Sequence, residues 1–367
     1  MTSIASLHIN DQATWRGGEK QVYYLLRGLN ERGHRAELVA QPKSALGERV
    51  RELGIRVHSV RMRGEIDVPA SRRIAGLVND GHFDVVHMHT AHAHALGCMA
   101  CAFNRKPVCV VSRRVDFPIN RKPFGLPALK YRWRVDHYIA ISEAVKSVLV
   151  SGGVSIEKVS IVYSGVEPRN HPGFGVEIRR SLGLPADLSL VGNVGALVDH
   201  KGHRFLIEAV PLVLQRIPST RFVIVGDGEL RDSLKSLASQ LSVGDVIMFP
   251  GFRPDADKYI SAFDVFVVPS HMEGLNTSIL DAMMLRRPVI GTTAGGIPEI
   301  IVNDKTGLLV PPKDPPALAE AIVGLLGNPE KARRLADAGR AMVMNRFTAD
   351  RMVEGTIAVY QNLLKNR

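Results

Sequence analysis

Two carboxylates, an amide and a glycine pair fall close together in the second half of the chain, in Ser270-His271-Met272-Glu273-Gly274-Leu275-Asn276, then Asp281, then Gly295-Gly296-Ile297-Pro298-Glu299. Carboxylates accept hydrogen bonds from hydroxyls, and bare glycines let backbone N–H groups come close to a phosphate. The combination suits a ligand that is both polyhydroxylated and phosphorylated. Such chemistry needs a scaffold. The β-branched run Val265-Phe266-Val267-Val268 stops at Pro269, so Glu273 falls in a loop beyond the carboxyl end of a buried strand, where open α/β sheets bind ligands. A helix over 275–285 would place Asp281 about two turns in, on nearly the side of Glu273. A further strand over 288–291 leads into Gly295-Gly296, and Pro298 suits the first position of a helix whose N-terminus would face a phosphate.

Three other loops sit at predicted strand ends. Trp15-Arg16-Gly17-Gly18-Glu19 leads from the first strand region into the first helix, so a phosphate could rest on the Gly17-Gly18 backbone. Gly192-Asn193-Val194-Gly195 with Asp199-His200-Lys201-Gly202 repeats the arrangement and adds a cation; Lys201 suits a diphosphate or is an ordinary helix-start lysine. Gly226-Asp227-Gly228-Glu229 lines a nucleotide pocket or forms a common tight turn. His87, His89, His92 and His94 invite a metal reading, since His-x-His on a strand aims both rings to one face. No carboxylate close by in sequence completes that set, and no metal is expected; His89 and His92 are assigned instead to the acceptor side. A dinucleotide fold is disfavoured because no Gly-x-Gly-x-x-Gly turn follows the first strand. A Gly-x-x-x-x-Gly-Lys-Ser/Thr phosphate loop is absent too.

The elements behind these loops alternate. Short apolar runs at 4–9, 36–40, 84–89, 108–112, 137–141 and 159–163 are separated by helical patterns. A second series follows at 188–194, 221–225, 246–249, 265–268, 288–291 and 307–310. This is the rhythm of parallel sheets with crossover helices. The first helix, from about Gly18, carries Val22, Leu25, Leu26 and Leu29 at helical spacing and stops at Gly33. Residues 164–173, rich in Gly, Pro and polar side chains, read as a linker, dividing the chain into 1–165 and 166–350.

Composition fits two globular halves: 367 residues, 45% hydrophobic and 23% charged. No apolar run is long enough to span a membrane and no secretory leader pattern opens the chain, so a cytoplasmic protein is expected. Three cysteines, Cys98, Cys101 and Cys109, are read as reduced packing residues rather than a redox pair. The net charge of +11 is uneven, with 24 Lys+Arg against 14 Asp+Glu in residues 1–165 and 23 against 22 thereafter. Arg105, Lys106, Arg113, Arg114, Arg121, Lys122, Lys130, Arg132 and Arg134 face only Asp116 and are interleaved with Phe117, Phe124, Tyr131 and Trp133. A segment of this kind attracts anionic surfaces or is simply a solvated face.

Taken together, Gly17-Gly18-Glu19, Asp84-Val85-Val86-His87, Ile139-Ala140-Ile141-Ser142, Tyr163-Ser164-Gly165-Val166, Lys201-Gly202, Gly226-Asp227-Gly228, Pro269-Ser270 through Gly274, Gly295-Gly296-Ile297-Pro298-Glu299 and Thr306-Gly307-Leu308-Leu309-Val310 resemble the retaining glycosyltransferases of family 4. The resemblance covers nearly the whole chain. It implies the GT-B fold, α/β with two Rossmann-like doubly wound parallel-sheet domains facing a cleft, and a helix near 351–364 that returns to the first domain. It implies transfer of a sugar from a UDP- or GDP-linked donor with retained configuration, and neither metal nor further cofactor. By the same resemblance Glu273 and Lys201 are catalytic: Glu273 accepts hydroxyls of the donor sugar, and Lys201 neutralises the departing diphosphate. Gly17, Gly18, Gly295, Gly296 and Glu299 contact diphosphate or sugar. Gly195, Gly226, Asp227, Phe252, Arg253, Gly274, Leu275, Asn276 and Asp281 bind the nucleotide, Asp281 at the ribose.

The chain departs from the family pattern at three places. Asp281 stands where a glutamate is usual, and Ala196 where an arginine often follows the glycine corresponding to Gly195. Arg113, Arg114 and Asp116 occupy the region where many members place a histidine near the reacting sugar. The expected acceptor is an anionic envelope glycan, lipopolysaccharide or glycolipid, met at the inner face of a membrane through the basic first domain. A nucleotide-sugar epimerase of the same fold is the enzymatic alternative. A carbohydrate- or nucleic-acid-binding module is the other, and nucleic acid is disfavoured because paired acids would repel phosphate.

Overall fold

The computed structural model describes residues 3–102, 104, 106–119, 133–168, 174–185 and 188–366. They form two compact units, Met1–Gly165 with Ala349–Arg367, and Val166–Thr348. The first holds seven strands: β1 (Ala5–Asn10), β2 (Arg35–Ala40), β3 (Val57–Ser59), β4 (Val85–Met88), β5 (Val108–Arg113), β6 (His137–Ala140) and β7 (Val159–Ile161). They lie in the order β3-β2-β1-β4-β5-β6-β7, all parallel. The second unit holds β8 (Ser189–Val194), β9 (Thr220–Val225), β10 (Ile247–Gly251), β11 (Val265–Val268), β12 (Val289–Thr292) and β13 (Leu308–Val310), in the order β10-β9-β8-β11-β12-β13. Each chain path runs outward from its first strand, then returns to that strand's other side. The reversal opens a crevice at the carboxyl ends of β1 and β4 in one unit, and of β8 and β11 in the other.

Strand β3 escapes the sequence pattern because it has three residues and only Val57 is apolar. The first helix runs Gly17–Glu31 and buries Val22, Leu25, Leu26 and Leu29. These pack with Leu38, Val85, Val108 and Val110 of the sheet and with Val353 and Tyr360 of the C-terminal helix Ala349–Lys365. Gly28 permits that helix pair, since a Cβ there would lie 2.6 Å from Val353 Cγ2. In the second unit Val191, Phe222, Ile224, Val265, Val267 and Ile290 pack with Leu206, Val210 and Ile322.

The predicted linker is tied down where it is described. Gln21 exchanges two 2.8 Å hydrogen bonds with Gly165, and the Val166 N–H donates to the Phe347 carbonyl at 2.9 Å. Residues 169–173 lie outside the described residues. So do Arg105, Arg121, Lys122, Phe124, Lys130, Tyr131 and Arg132 of the basic segment. Arg134 departs from that segment's expected role as a surface cation. Its guanidinium donates to the carbonyls of Cys101 and Asn104 at 2.9 Å and pairs with Asp136 at 3.0 Å. All three cysteines are free and buried. A hydrogen bond with Cys101, then burial, pushes the Cys109 thiol far up from its ordinary range, away from reactivity.

Candidate active site

In the second unit Lys201 and Glu273, 72 residues apart, meet at 2.6 Å between Nζ and Oε2. The same oxygen accepts from Asn276 Nδ2 at 2.9 Å and from Ser270 Oγ at 3.4 Å. Glu273 is 8% exposed, so these donors hold a carboxylate largely withdrawn from water. Asn276 is itself fixed, because its Oδ1 accepts from the Ile279 N–H at 3.1 Å and caps the helix Thr277–Met284. The cap moves the helix start from the expected 275 to 277 and places Asp281 little more than one turn in. Ile279, Leu280, Ala282 and Met283 are buried around it, and half-buried Asp281 shares the helix's open side with Thr277. Gly274 and Leu275, within the loop, are buried.

Lys201 ends a single 3-10 turn, Asp199–Lys201, that stops at Gly202 with φ +67°. A Cβ on Gly202 would lie 2.1 Å from the Pro269 carbonyl oxygen, so the loops after β8 and β11 touch here only because the residue is glycine. Gly202→Ala combines a left-handed backbone with this overlap. It is expected to destabilise the unit by about 3 kcal/mol or more, the upper range for single changes. A thermal scan should show a midpoint lowered by roughly 6–12 °C; an unchanged midpoint would mean that the contact does not set the loop. His203, absent from the sequence reading, reinforces the junction: its Nε2 meets Asn193 Oδ1 at 2.9 Å while Asn193 Nδ2 donates to the Val267 carbonyl at 2.7 Å. Burial, then the nearby Lys201 charge, lowers His203 to about 3, so the ring is neutral. The available signal was polar Asn193 inside an apolar strand.

The glycine pair differs from expectation. The Gly296 N–H donates to the Glu273 carbonyl at 2.9 Å, so it is spent inside the protein rather than held for a phosphate. Gly295 turns at φ +51°. The following helix, Ile297–Ile300, is one turn with Pro298 second rather than first, too short to supply the expected helix-end field. Glu299 is half-buried on it. A Cβ on Gly226 would lie 1.8 Å from the Gly195 carbonyl oxygen, which gives Gly226 a packing reason, while a Cβ on Gly195 would meet nothing closer than 3.7 Å. Asp227 accepts from the Gly228 N–H at 2.8 Å and pairs with Arg231 at 3.0 Å, the tight-turn alternative. Phe252 is 56% exposed, and the Arg253 guanidinium sits 5.7 Å from the Tyr259 ring centre.

In the first unit Gly17 and Gly18 open the helix that follows β1. Glu19 accepts from the Arg16 N–H at 3.0 Å and is buried, and burial raises its carboxyl against the pull of those bonds and of Arg114. Arg114 lies over this turn: its Cδ is 3.8 Å from where a Gly18 Cβ would be. Burial lowers Arg114 to about 10, with Glu19 opposing, so it stays cationic at neutral pH. Arg113 turns elsewhere and donates to the Phe117 carbonyl, while Asp116 is half-buried.

The four grouped histidines do not converge. His87 and His89 join His8, which the register sets directly opposite His87. His8 Nδ1 meets His89 Nε2 at 3.0 Å, His8 Nε2 meets Ser6 Oγ at 3.0 Å, and His87 bonds the Tyr360 hydroxyl and Ser112 Oγ. Burial lowers all three rings, His8 to about 3, and nearby Arg114 adds to the effect on His87 and His89. His89, expected to line the acceptor side, is 4% exposed within this network. Only His92 reaches the surface, held by Asp11 at 2.9 Å, and His94 packs edge-on to Tyr138. His8 and Asp11 escaped notice because only strand pairing brings β1 beside β4.

Comparisons with known proteins bear on the family and the fold. The family described as Glycosyltransferase Family 4 matches residues 15–170, and the one described as Glycosyl transferases group 1 matches residues 176–342. An uncharacterised glycosyltransferase of Methanocaldococcus jannaschii is 27% identical over 306 residues, 78% of this chain and 77% of that protein. The lipopolysaccharide core biosynthesis glycosyltransferase LpsE of Rhizobium meliloti is 32% identical over 176 residues, 48% of this chain and about half (51%) of its own length. The crystal structure of Anabaena HepE with UDP-glucose superposes with a TM-score of 0.87 at 20% identity, covering 98% of this chain and 100% of HepE. With both halves matched in order and the same architecture throughout, the chain belongs to glycosyltransferase family 4 and has the GT-B fold.

Proposed function

We propose that the protein transfers a hexosyl or related sugar from a UDP- or GDP-linked donor, with retained configuration, to an envelope glycan, lipopolysaccharide or glycolipid acceptor. The observation that carries this reading is the Lys201–Glu273 pair at 2.6 Å, at the carboxyl-end crevice of the second sheet. There a cation stands ready for a diphosphate and a carboxylate for sugar hydroxyls. As the glycosidic bond breaks, negative charge grows on the diphosphate, and a preorganised ammonium stabilises it without a divalent metal or a further cofactor. Glu273 accepts hydroxyls of the donor sugar, Asp281 the ribose diol, and exposed Phe252 lies by the base. Gly17, Gly18 and Arg114 serve the phosphate or acceptor side in the first unit. Related proteins support the donor class: HepE crystallised with UDP and with UDP-glucose, and a Mycolicibacterium smegmatis relative is named a GDP-mannose-dependent mannosyltransferase. The acceptor class follows names such as that of LpsE, together with the basic first half. Encounter with a lipid-borne acceptor is proposed to be peripheral, at the cytoplasmic face; no helix among the described residues is long and apolar enough to cross a membrane.

Screening nucleotides and nucleotide sugars by thermal shift tests the donor. A cognate ligand at a hundred times its Kd adds about 2.7 kcal/mol, which should raise the midpoint by several degrees. No shift with any UDP- or GDP-linked compound would overturn the donor assignment. Product analysis without acceptor separates transfer from epimerisation.

A further inference from the structure

Glu273 holds the tip of Lys201, but a lysine stem is long and flexible, so the place of the ammonium depends also on how the backbone beneath it is fixed. That backbone is the single 3-10 turn Asp199–Lys201. It is closed by the Gly202 N–H on the Asp199 carbonyl at 2.9 Å and by the Lys201 N–H on the Val198 carbonyl at 3.2 Å. Turns of this kind are short and have poor hydrogen-bond geometry, so contacts from outside decide whether they keep one shape. His271 supplies such contacts. It stands two residues before Glu273, so the loop that carries the carboxylate also grips the turn that carries the cation.

Main chain and side chain both take part. The His271 N–H donates to the His200 carbonyl at 3.0 Å. Its ring Nε2 lies 3.1 Å from the Asp199 carbonyl oxygen and 3.2 Å from Asp199 Oδ2. The ring also stands edge-on to Phe205, 6.2 Å between centres, in the first turn of the helix His203–Leu214. One side chain therefore touches the chain on both sides of Lys201. A carbonyl oxygen only accepts, so Nε2 carries the hydrogen. Of its two acceptors the carbonyl matters more, because the Asp199 carboxylate is 81% exposed and an ion pair so wetted contributes little. That carbonyl is also the one that closes the turn, and it takes both hydrogen bonds on a single oxygen.

We propose that His271 is a positioning residue for sugar transfer: its Nε2–H, on the Asp199 carbonyl, holds the turn that ends at Lys201 in register with the Glu273 loop. The role rests on the reading of Lys201 as the cation that meets the departing diphosphate. It concerns the rate rather than donor affinity, since a small displacement of a preorganised charge acts where charge grows most, in the transition state.

Two substitutions separate the donor from the ring. His271→Phe keeps an aromatic edge for Phe205 and loses the N–H, whereas His271→Gln loses the ring and keeps an amide N–H that reaches the same carbonyl. The full chain is assayed by release of UDP or GDP from the nucleotide sugar that gives the largest thermal shift, with a thermal scan of each variant. His271→Phe should lower kcat by about tenfold with donor KM within about threefold, and His271→Gln should return kcat to within about threefold of the unsubstituted chain. His271→Met, which also fills space without a donor, takes the place of His271→Phe if the latter does not fold. In the Lys201→Ala background, adding His271→Phe should cost no more than about a further twofold, because the residue it positions is gone. Unchanged kcat in His271→Phe, an equal loss in His271→Gln, a rise in KM with kcat unchanged, or a full tenfold further loss in K201A/H271F overturns the proposal. Normal turnover in Lys201→Ala alone would instead overturn the reading of Lys201, and this role with it, a result that no His271 variant imitates.

Discussion

Glu273→Ala should lower turnover by about a hundredfold or more, equivalent to about 2.7 kcal/mol of transition-state stabilisation, while leaving the fold in place. The carboxylate gathers Lys201, Asn276 and Ser270 onto one oxygen, so its removal frees the ammonium that a departing diphosphate needs positioned. The fold should survive because the helix cap is made by Asn276 Oδ1 and the loop is tied by the Glu273 backbone carbonyl, neither of which the substitution touches. Glu273→Gln keeps hydrogen-bonding capacity but not charge, and separates the two contributions. Steady-state kinetics with a saturating donor, read beside a thermal scan, checks both. Near-normal transfer by the alanine variant would remove Glu273 from the chemistry.

Lys201→Ala should act chiefly on kcat, by about 10²–10³, the usual cost of deleting one preorganised charge-stabilising donor. An interaction that strengthens as the leaving group gains charge appears in kcat, whereas one present equally in the ground state appears in KM. A rise in donor KM with kcat unchanged would therefore assign Lys201 to binding alone. The substitution also strands a mostly buried carboxylate, so some stability should be lost. In K201A/E273A that loss should be smaller than the sum of the single changes, since the stranded charge is gone. Lys201→Arg should recover only part of the rate, because a planar fork cannot replace a point charge at 2.6 Å from Oε2 without moving the loop.

Residue types and spacing carried the loops that hold these groups. Apolar runs separated by helical patterns required parallel sheets, and a residue just past such a run must stand at the sheet's carboxyl edge. Lys201 after β8 and Glu273 after β11 were legible on that ground. Local rules also failed locally. A glycine pair reads alike whether its N–H groups await a phosphate or, as Gly296 does, bond a neighbouring loop. A histidine series reads alike whether it converges or, as with His87, His89, His92 and His94, divides between a buried network, a surface pair with Asp11 and a packed core position. Arg134 counted as a surface cation because nothing in sequence reveals that three carbonyls surround its guanidinium.

By itself the sequence determined the periodic burial of strands and helices, the division near residue 165, and which chemical groups follow which strands. Those are consequences of local geometry, in which side-chain direction repeats every two or 3.6 residues and the chain turns where glycine and proline allow. Tertiary structure alone decided the partners: Lys201 on Glu273 across 72 positions, His8 on His89 across 81, Tyr360 on His87 across 273, and Arg114 over Gly18. Such pairs depend on strand order and on which loops share a sheet edge, and the cost or gain of burying each charge exists only once both partners are packed together.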